Sequence, residues 1–182
     1  MDVSVQKLKS VIIKSGLYFG LTVVAFNFIT AYMGLSDKFS MTIIGFYYAV
    51  FFTTIFIIIP LSQYNFKRLN NGILSLSEAM KLGLGILLIG LLIIIFSQLI
   101  IWEFITDQGQ FIISTENAIK DNIPPEMLTD EILEEAREDI KKQFSFRSIT
   151  VRIMTNLFLI SIYTLITGLA PVSYTHLRAH ET

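Results

Sequence analysis

The chain has 182 residues, of which 53% are hydrophobic and 16% charged, with a mean hydropathy of +0.62 and a formal net charge of −1. That composition excludes an ordinary soluble domain and points to a membrane protein, and the length leaves room for one bundle of spans with no separate catalytic domain. A net charge this close to zero carries no strong attraction to nucleic acid, so no nucleic-acid partner is expected.

The N-terminal stretch places Lys7, Lys9 and Lys14 ahead of an uncharged run from Ser15 to Leu35. A basic segment before an apolar one also describes a signal peptide. Here the apolar part is too long for a signal h-region, and no small-x-small cleavage site closes it, since Tyr32 and Met33 separate Ala31 from Gly34. The run is therefore read as a retained first span. A polar link from Ser36 to Ser40 leads to a second uncharged run, Met41 to Leu61. So short a link implies an antiparallel helical hairpin. Its β-branched and aromatic residues would suit a strand in a soluble protein, but 21 consecutive uncharged residues fit a spanning helix better. Pro60 sits near the far end of this run, where a kink or stop is best tolerated.

The next link has clear punctuation. Asn70, Asn71 and Gly72 mark a turn. Ser75 and Glu78 have capping-box spacing, which starts a third helix near Leu76. That helix continues through Leu82 to Ile101, 20 residues without a charge, closed by Trp102 and Glu103. At a rise of 1.5 Å per residue the run reaches about 30 Å, the thickness of a bilayer's hydrocarbon core. Gly83, Gly85 and Gly90 look superficially like a phosphate loop, but they lie inside the spanning run and their spacing fails the fingerprint. Gly83 and Gly90 are seven apart and share a face, which suits close helix packing.

A span, a basic link with Lys67 and Arg68, the Asn71–Gly72 turn, a serine-rich step, and then Ala79 and Gly83 opening the next span follow one another here. This succession resembles the bacterial four-helix membrane family known as domain of unknown function 4199. The resemblance covers nearly all of residues 1–170, including a long polar segment before the last span. It implies a four-helix membrane architecture and carries no catalytic residue across.

After Trp102 the chain is polar for nearly fifty residues, 103–150. Pro124 and Pro125 introduce a stretch in which Leu128, Ile132, Ala136, Ile140 and Phe144 recur every four residues, the spacing of an amphipathic helix. Glu126, Asp130, Glu131, Glu134 and Glu135 crowd its first half, and Lys141 and Lys142 its last turn, complementing the helix dipole. The apolar stripe needs a partner: the bilayer surface, the mouth of the bundle or a second copy. The acidic residues lack the alternating ligands and central glycine of a calcium loop, so they read as a solvated face.

The final run, Val151 to Ala170, spans once if Arg152 snorkels at its outer edge. The sequence thus predicts an all-α integral membrane bundle of four transmembrane helices, with spans at about 15–35, 41–61, 80–102 and 151–170. An amphipathic extramembrane helix is expected between spans three and four. The last eleven residues, 172–182, match residue for residue the translation of a transposase-type sequencing adapter. They are read as a read-through artefact, with the natural chain expected to be truncated near Pro171. The only histidines, His176 and His180, lie in that string, and the chain has no cysteine. The remainder lacks the usual nitrogen and sulfur ligands, the usual general base and any thiol nucleophile, so no metal, cofactor or catalytic residue is expected.

Lys7, Lys9 and Lys14 precede the first span and only Lys38 follows it, while Lys67, Arg68 and Lys81 lie between spans two and three. The positive-inside rule then puts the N-terminus in the cytoplasm and the acidic segment outside. Lys141, Lys142, Arg147 and Arg152 count the other way; the first helix is taken to decide. Tyr18 and Tyr64 on one side, and Tyr32 and Trp102 on the other, fall where aromatic belts form. Glu103 could serve a proton or cation path, but its place at the end of a span reads as a solvated interfacial acid. Asn27, Thr53, Thr54, Ser97, Gln98, Thr155 and Asn156 are the polar groups at depth. They are expected mainly to bond between helices, at roughly 1 kcal/mol or less each, with a solute path as the alternative. The function these features suggest is a non-enzymatic protein of the bacterial inner membrane. Its partners would be the lipid bilayer and, through the acidic segment, a membrane partner or a second copy. The alternative is a small transporter or channel subunit built on the polar groups at depth.

Overall fold

The computed structural model describes residues 3–38 and 40–169. The string 172–182 and the adapter reading of it lie outside the described residues. Among these, six helices and no strand form: α1 (Val3–Tyr32), α2 (Met41–Leu69), α3 (Leu76–Phe104), α4 (Gln108–Asn122), α5 (Asp130–Lys142) and α6 (Phe146–Leu169). Helices α1, α2, α3 and α6 are long and apolar enough to cross a membrane.

The spanning helices run past their uncharged runs, because helix geometry continues until something stops it. Helix α2 extends through Pro60 to Leu69. A proline has no N–H to offer the carbonyl four residues back, here that of Phe56. The Tyr163 hydroxyl of α6 donates to that carbonyl at 2.8 Å, so a neighbouring helix supplies the missing bond. What ends α2 is the turn that follows, where Asn71 (φ 54°) and Gly72 (φ 80°) both adopt left-handed backbone. Helix α3 then starts on a complete capping box: the Glu78 N–H donates to Ser75 Oγ at 3.2 Å, and the Ser75 N–H donates to the Glu78 carboxylate at 2.8 Å.

Helix α3 is the centre of the bundle, packing most extensively on α1 and next on α6, while α2 lies mainly along α1. Its inward face is Leu82, Ile86, Leu87, Leu91 and Ile94, all buried. One core joins Phe19 and Val23 of α1, Phe51, Ile55 and Ile59 of α2, and Ile160 of α6 to this face. A second, toward the start of α3, joins Val11, Phe66, Leu74, Ala79 and Leu82. The opposite faces are apolar too: Phe46, Ile57, Leu92, Phe96, Phe158 and Ile166 are exposed. Apolar side chains all round a helix suit a hydrocarbon solvent.

The polar segment folds into two helices where the sequence suggested one. Helix α4 is capped by Asp107, whose carboxylate accepts from the Gln110 N–H at 3.0 Å. Pro124 and Pro125 stand between α4 and α5, and α5 starts on Thr129, whose hydroxyl accepts from the Ile132 N–H. The two helices pair as a hairpin. Helix α6 begins at Phe146, five residues ahead of the run Val151 to Ala170, which sets Arg152 in its second turn.

Candidate functional site

A cavity of about 460 Å³ opens at the end of the bundle where α1 finishes and α2 begins. Six parts of the chain contribute polar groups to its lining: Asn27 from α1, Lys38 from the α1–α2 link, Tyr47 from α2, Gln98 from α3, Gln143 from the α5–α6 link, and Arg152 with Asn156 from α6. Its apolar wall includes Phe26, Ile44, Phe51, Leu91 and Ile94.

Gln98 ties three helices together. Its amide oxygen accepts from Arg152 Nη1 at 2.9 Å, and its amide nitrogen donates to the Tyr47 hydroxyl at 3.1 Å. The two bonds orient the amide without ambiguity, since only its oxygen can accept from a guanidinium. Arg152 reaches further to the Gln143 carbonyl, a long 3.5 Å contact, and its guanidinium carbon lies 5.9 Å from the centre of the Phe144 ring. Asn156 Nδ2 donates along its own helix to the Arg152 carbonyl at 2.8 Å. Asn27 is 9% exposed, and its amide nitrogen has no partner. Among the described residues no carboxylate lines the cavity. Asp37, beside Lys38 in the link, accepts from the Asp107 N–H at 2.9 Å and so anchors the start of α4. A smaller cavity of about 240 Å³ shares Asn27, Gln98 and Arg152 and adds Trp102 and Phe144.

The residues singled out in the sequence fall into separate places. A Cβ on Gly83 would land in the Thr164 side chain of α6, and one on Gly90 would land in the Phe19 ring of α1, so their shared face meets two different helices. Ser97 is buried, and its hydroxyl donates to the Ile94 carbonyl of its own helix at 2.8 Å. Gln98 and Asn156 line the cavity; Ser97 does not. Trp102 is half-buried, with its ring 5.5 Å from that of Phe111 and 5.7 Å from that of Phe144, and Glu103 is exposed. Sequence reasoning missed Tyr47 and Lys38 as lining residues, and it set Arg152 at the outer edge. The available signal was the four-residue spacing of Arg152 and Asn156, which puts both on one face of α6.

A second polar cluster lies toward the opposite end. Gln63 and Thr164 are fully buried there without partners for their side-chain polar atoms, and Ser62 donates to Ser15 at 2.7 Å. The α4–α5 hairpin is held by an ion pair between Arg137 and Glu116. The hydrogen bond from Arg137 keeps the Glu116 carboxyl below the usual range, and Lys142 does the same for Glu138. Among the described residues, no three His, Cys, Asp or Glu side chains gather as a metal site.

Four spanning helices, an extramembrane hairpin and a polar-aromatic cavity at one end define an all-helical integral membrane bundle. The family model described as Protein of unknown function (DUF4199) matches residues 14–170, and the chain belongs to that family. No curated protein and no solved structure matches the chain.

Proposed function

We propose that this chain is a non-enzymatic protein of the bacterial inner membrane whose acidic α4–α5 hairpin, on the outer side, engages a membrane partner. The observation that carries the reading is the state of α5: none of its residues is buried, and Glu131, Glu135, Glu138 and Asp139 are exposed. The hairpin's basic groups are partly used internally, Arg137 on Glu116 and Glu134 and Lys142 on Glu138. Residues 103–150 carry eleven acidic side chains against five basic ones. Such a surface favours a basic partner by steering and by complementarity. A second copy brings the same acidic face and would have to meet it with another surface.

The orientation rests on charge. Lys7, Lys9, Lys14, Lys67, Arg68 and Lys81 belong to one end of the bundle, where Lys7 Nζ donates to the Leu69 carbonyl at 2.8 Å. That end is assigned to the cytoplasm by the positive-inside rule. The absence of catalysis in this reading rests on the cavity's chemistry: amides, hydroxyls and two cations, with no nucleophile set beside a base.

The cavity itself favours a second reading, a small transporter or channel subunit, because Gln98 joins α2, α3 and α6 around it. The readings separate in one set of variants. Deleting Asp130 to Lys142 should abolish cross-linking to the partner and spare solute flux under the first. Under the second, Gln98→Ala with Asn156→Ala should abolish flux, while Ser97→Ala leaves it unchanged. A deletion that leaves partner cross-linking intact overturns the first reading.

A further inference from the structure

We infer that the larger cavity seats the acidic head of a single-chain amphiphile, a carboxylate or phosphate carrying one acyl chain. The inference rests on the second reading, in which the cavity handles a solute, and names that solute's chemistry. Two cationic side chains, Arg152 and Lys38, line the cavity, and among the described residues neither forms an ion pair. A guanidinium has five N–H donors, and Arg152 directs one at the Gln98 amide oxygen and one, at 3.5 Å, at the Gln143 carbonyl. A neutral amide oxygen and a long carbonyl contact leave its charge uncompensated about 9 Å inside the end of α3, as Gln98 is six residues before Phe104. Asn27 lines the same cavity, and its amide nitrogen is buried without a partner. Unmet donors with positive charge and no carboxylate describe a site for an oxyanion.

The rest of the lining decides what the oxyanion is attached to. Phe26, Ile44, Phe51, Leu91 and Ile94 form an apolar wall beside the hydroxyls of Thr30, Ser36, Ser40 and Tyr48, and that wall suits an acyl chain attached to a polar head. At about 460 Å³ the volume falls within the roughly 300–1,000 Å³ of small-molecule sites. The cavity also lies where α2 touches α3 and α6 only lightly.

Trp102 is the only tryptophan in the chain, and it lines the smaller cavity that shares Arg152 and Gln98, so its fluorescence reads the site. The full chain in phosphatidylcholine nanodiscs is titrated with 11-bromoundecanoate, with its methyl ester and with inorganic phosphate. The inference predicts saturable quenching by the acid, absent with the ester. Binding should weaken about tenfold in Arg152→Gln, the loss expected for one charge-assisted bond, and measurably in Lys38→Gln. Lys38 is exposed in a link, so that variant carries the test if Arg152→Gln does not fold. Equal quenching by acid and ester, or unchanged binding in both variants, overturns the inference. Phosphate binding as tightly as the acid also overturns it, while leaving a ligand site in place; no saturable binding of any probe removes the site as well.

Discussion

The bond from Tyr163 to the Phe56 carbonyl gives a sharp test of how α2 survives Pro60. Tyr163→Phe removes one hydroxyl and keeps the ring, whose centre lies 4.4 Å from that of Phe56, so packing is preserved and the 2.8 Å bond is lost. Phe56 lies among exposed apolar residues of a spanning helix, where no water replaces the donor. An unmet buried acceptor costs about 1–3 kcal/mol, whereas interhelical bonds in membranes average about 0.6 and reach about 1.7 kcal/mol. The expected loss is therefore ~1–1.5 kcal/mol. In a Pro60→Ala background the restored N–H can reach the Phe56 carbonyl along the helix, and the same Tyr163→Phe change should cost about 0.5 kcal/mol or less. The two losses are read from reversible unfolding in mixed micelles, all four proteins side by side. An equal loss in both backgrounds, or none in the Pro60 chain, would refute the claim that Tyr163 stands in for the proline's missing donor.

Gly90→Ala forces a methyl group into the buried Phe19 ring and should destabilise by about 1–2 kcal/mol, whereas Gly45→Ala, with nothing within 4 Å, should be neutral or gain up to about 1 kcal/mol; the same unfolding assay compares them. Ser75→Ala removes the cap acceptor of α3 and should cost about 1 kcal/mol, with faster amide exchange confined to the first turn from Leu76. Glu116 is held below its usual carboxyl range by Arg137, so the pair's contribution is present above the unfolded carboxylate value of about 4.3 and is lost as pH falls through the folded one. The protection of α4 and α5 amides, measured against the intrinsic exchange rate at each pH, should therefore fall on acidification. Glu116→Gln should already show the lowered protection at neutral pH, with a flatter pH dependence.

The spans were legible because their signal is local: 20 uncharged residues from Leu82 to Ile101 have no other stable use. The Ser75–Glu78 box and the Asn71–Gly72 turn were legible for the same reason, since each depends on residues three or fewer positions apart. Helix α4 went unread because Gly109, Ser114, Asn117 and Asn122 interrupt its apolar residues, although Asp107 and Gln110 stand at the spacing of Ser75 and Glu78. The cavity depends on which helix faces meet, and no local pattern carries that. Arg152 at the edge of an uncharged run looks like a snorkelling residue. Only the earlier start of α6, and the arrival of Gln98 from α3, turn it toward the bundle. Gly83 and Gly90 show the same limit: their common face was readable, but their separate neighbours, Thr164 and Phe19, were not.

The central claim is that the acidic α5 face is an interaction surface. Its most direct measurement is in-cell photo-cross-linking of the full chain with a benzophenone amino acid placed at Glu135, and at exposed Ser77 near the opposite end as control. The account predicts a discrete cross-linked species from position 135 and none from position 77. The species should be lost when Glu131, Glu138 and Asp139 are changed to Lys. A cross-link from position 135 that survives the charge reversal, or none beyond that seen at position 77, would contradict it.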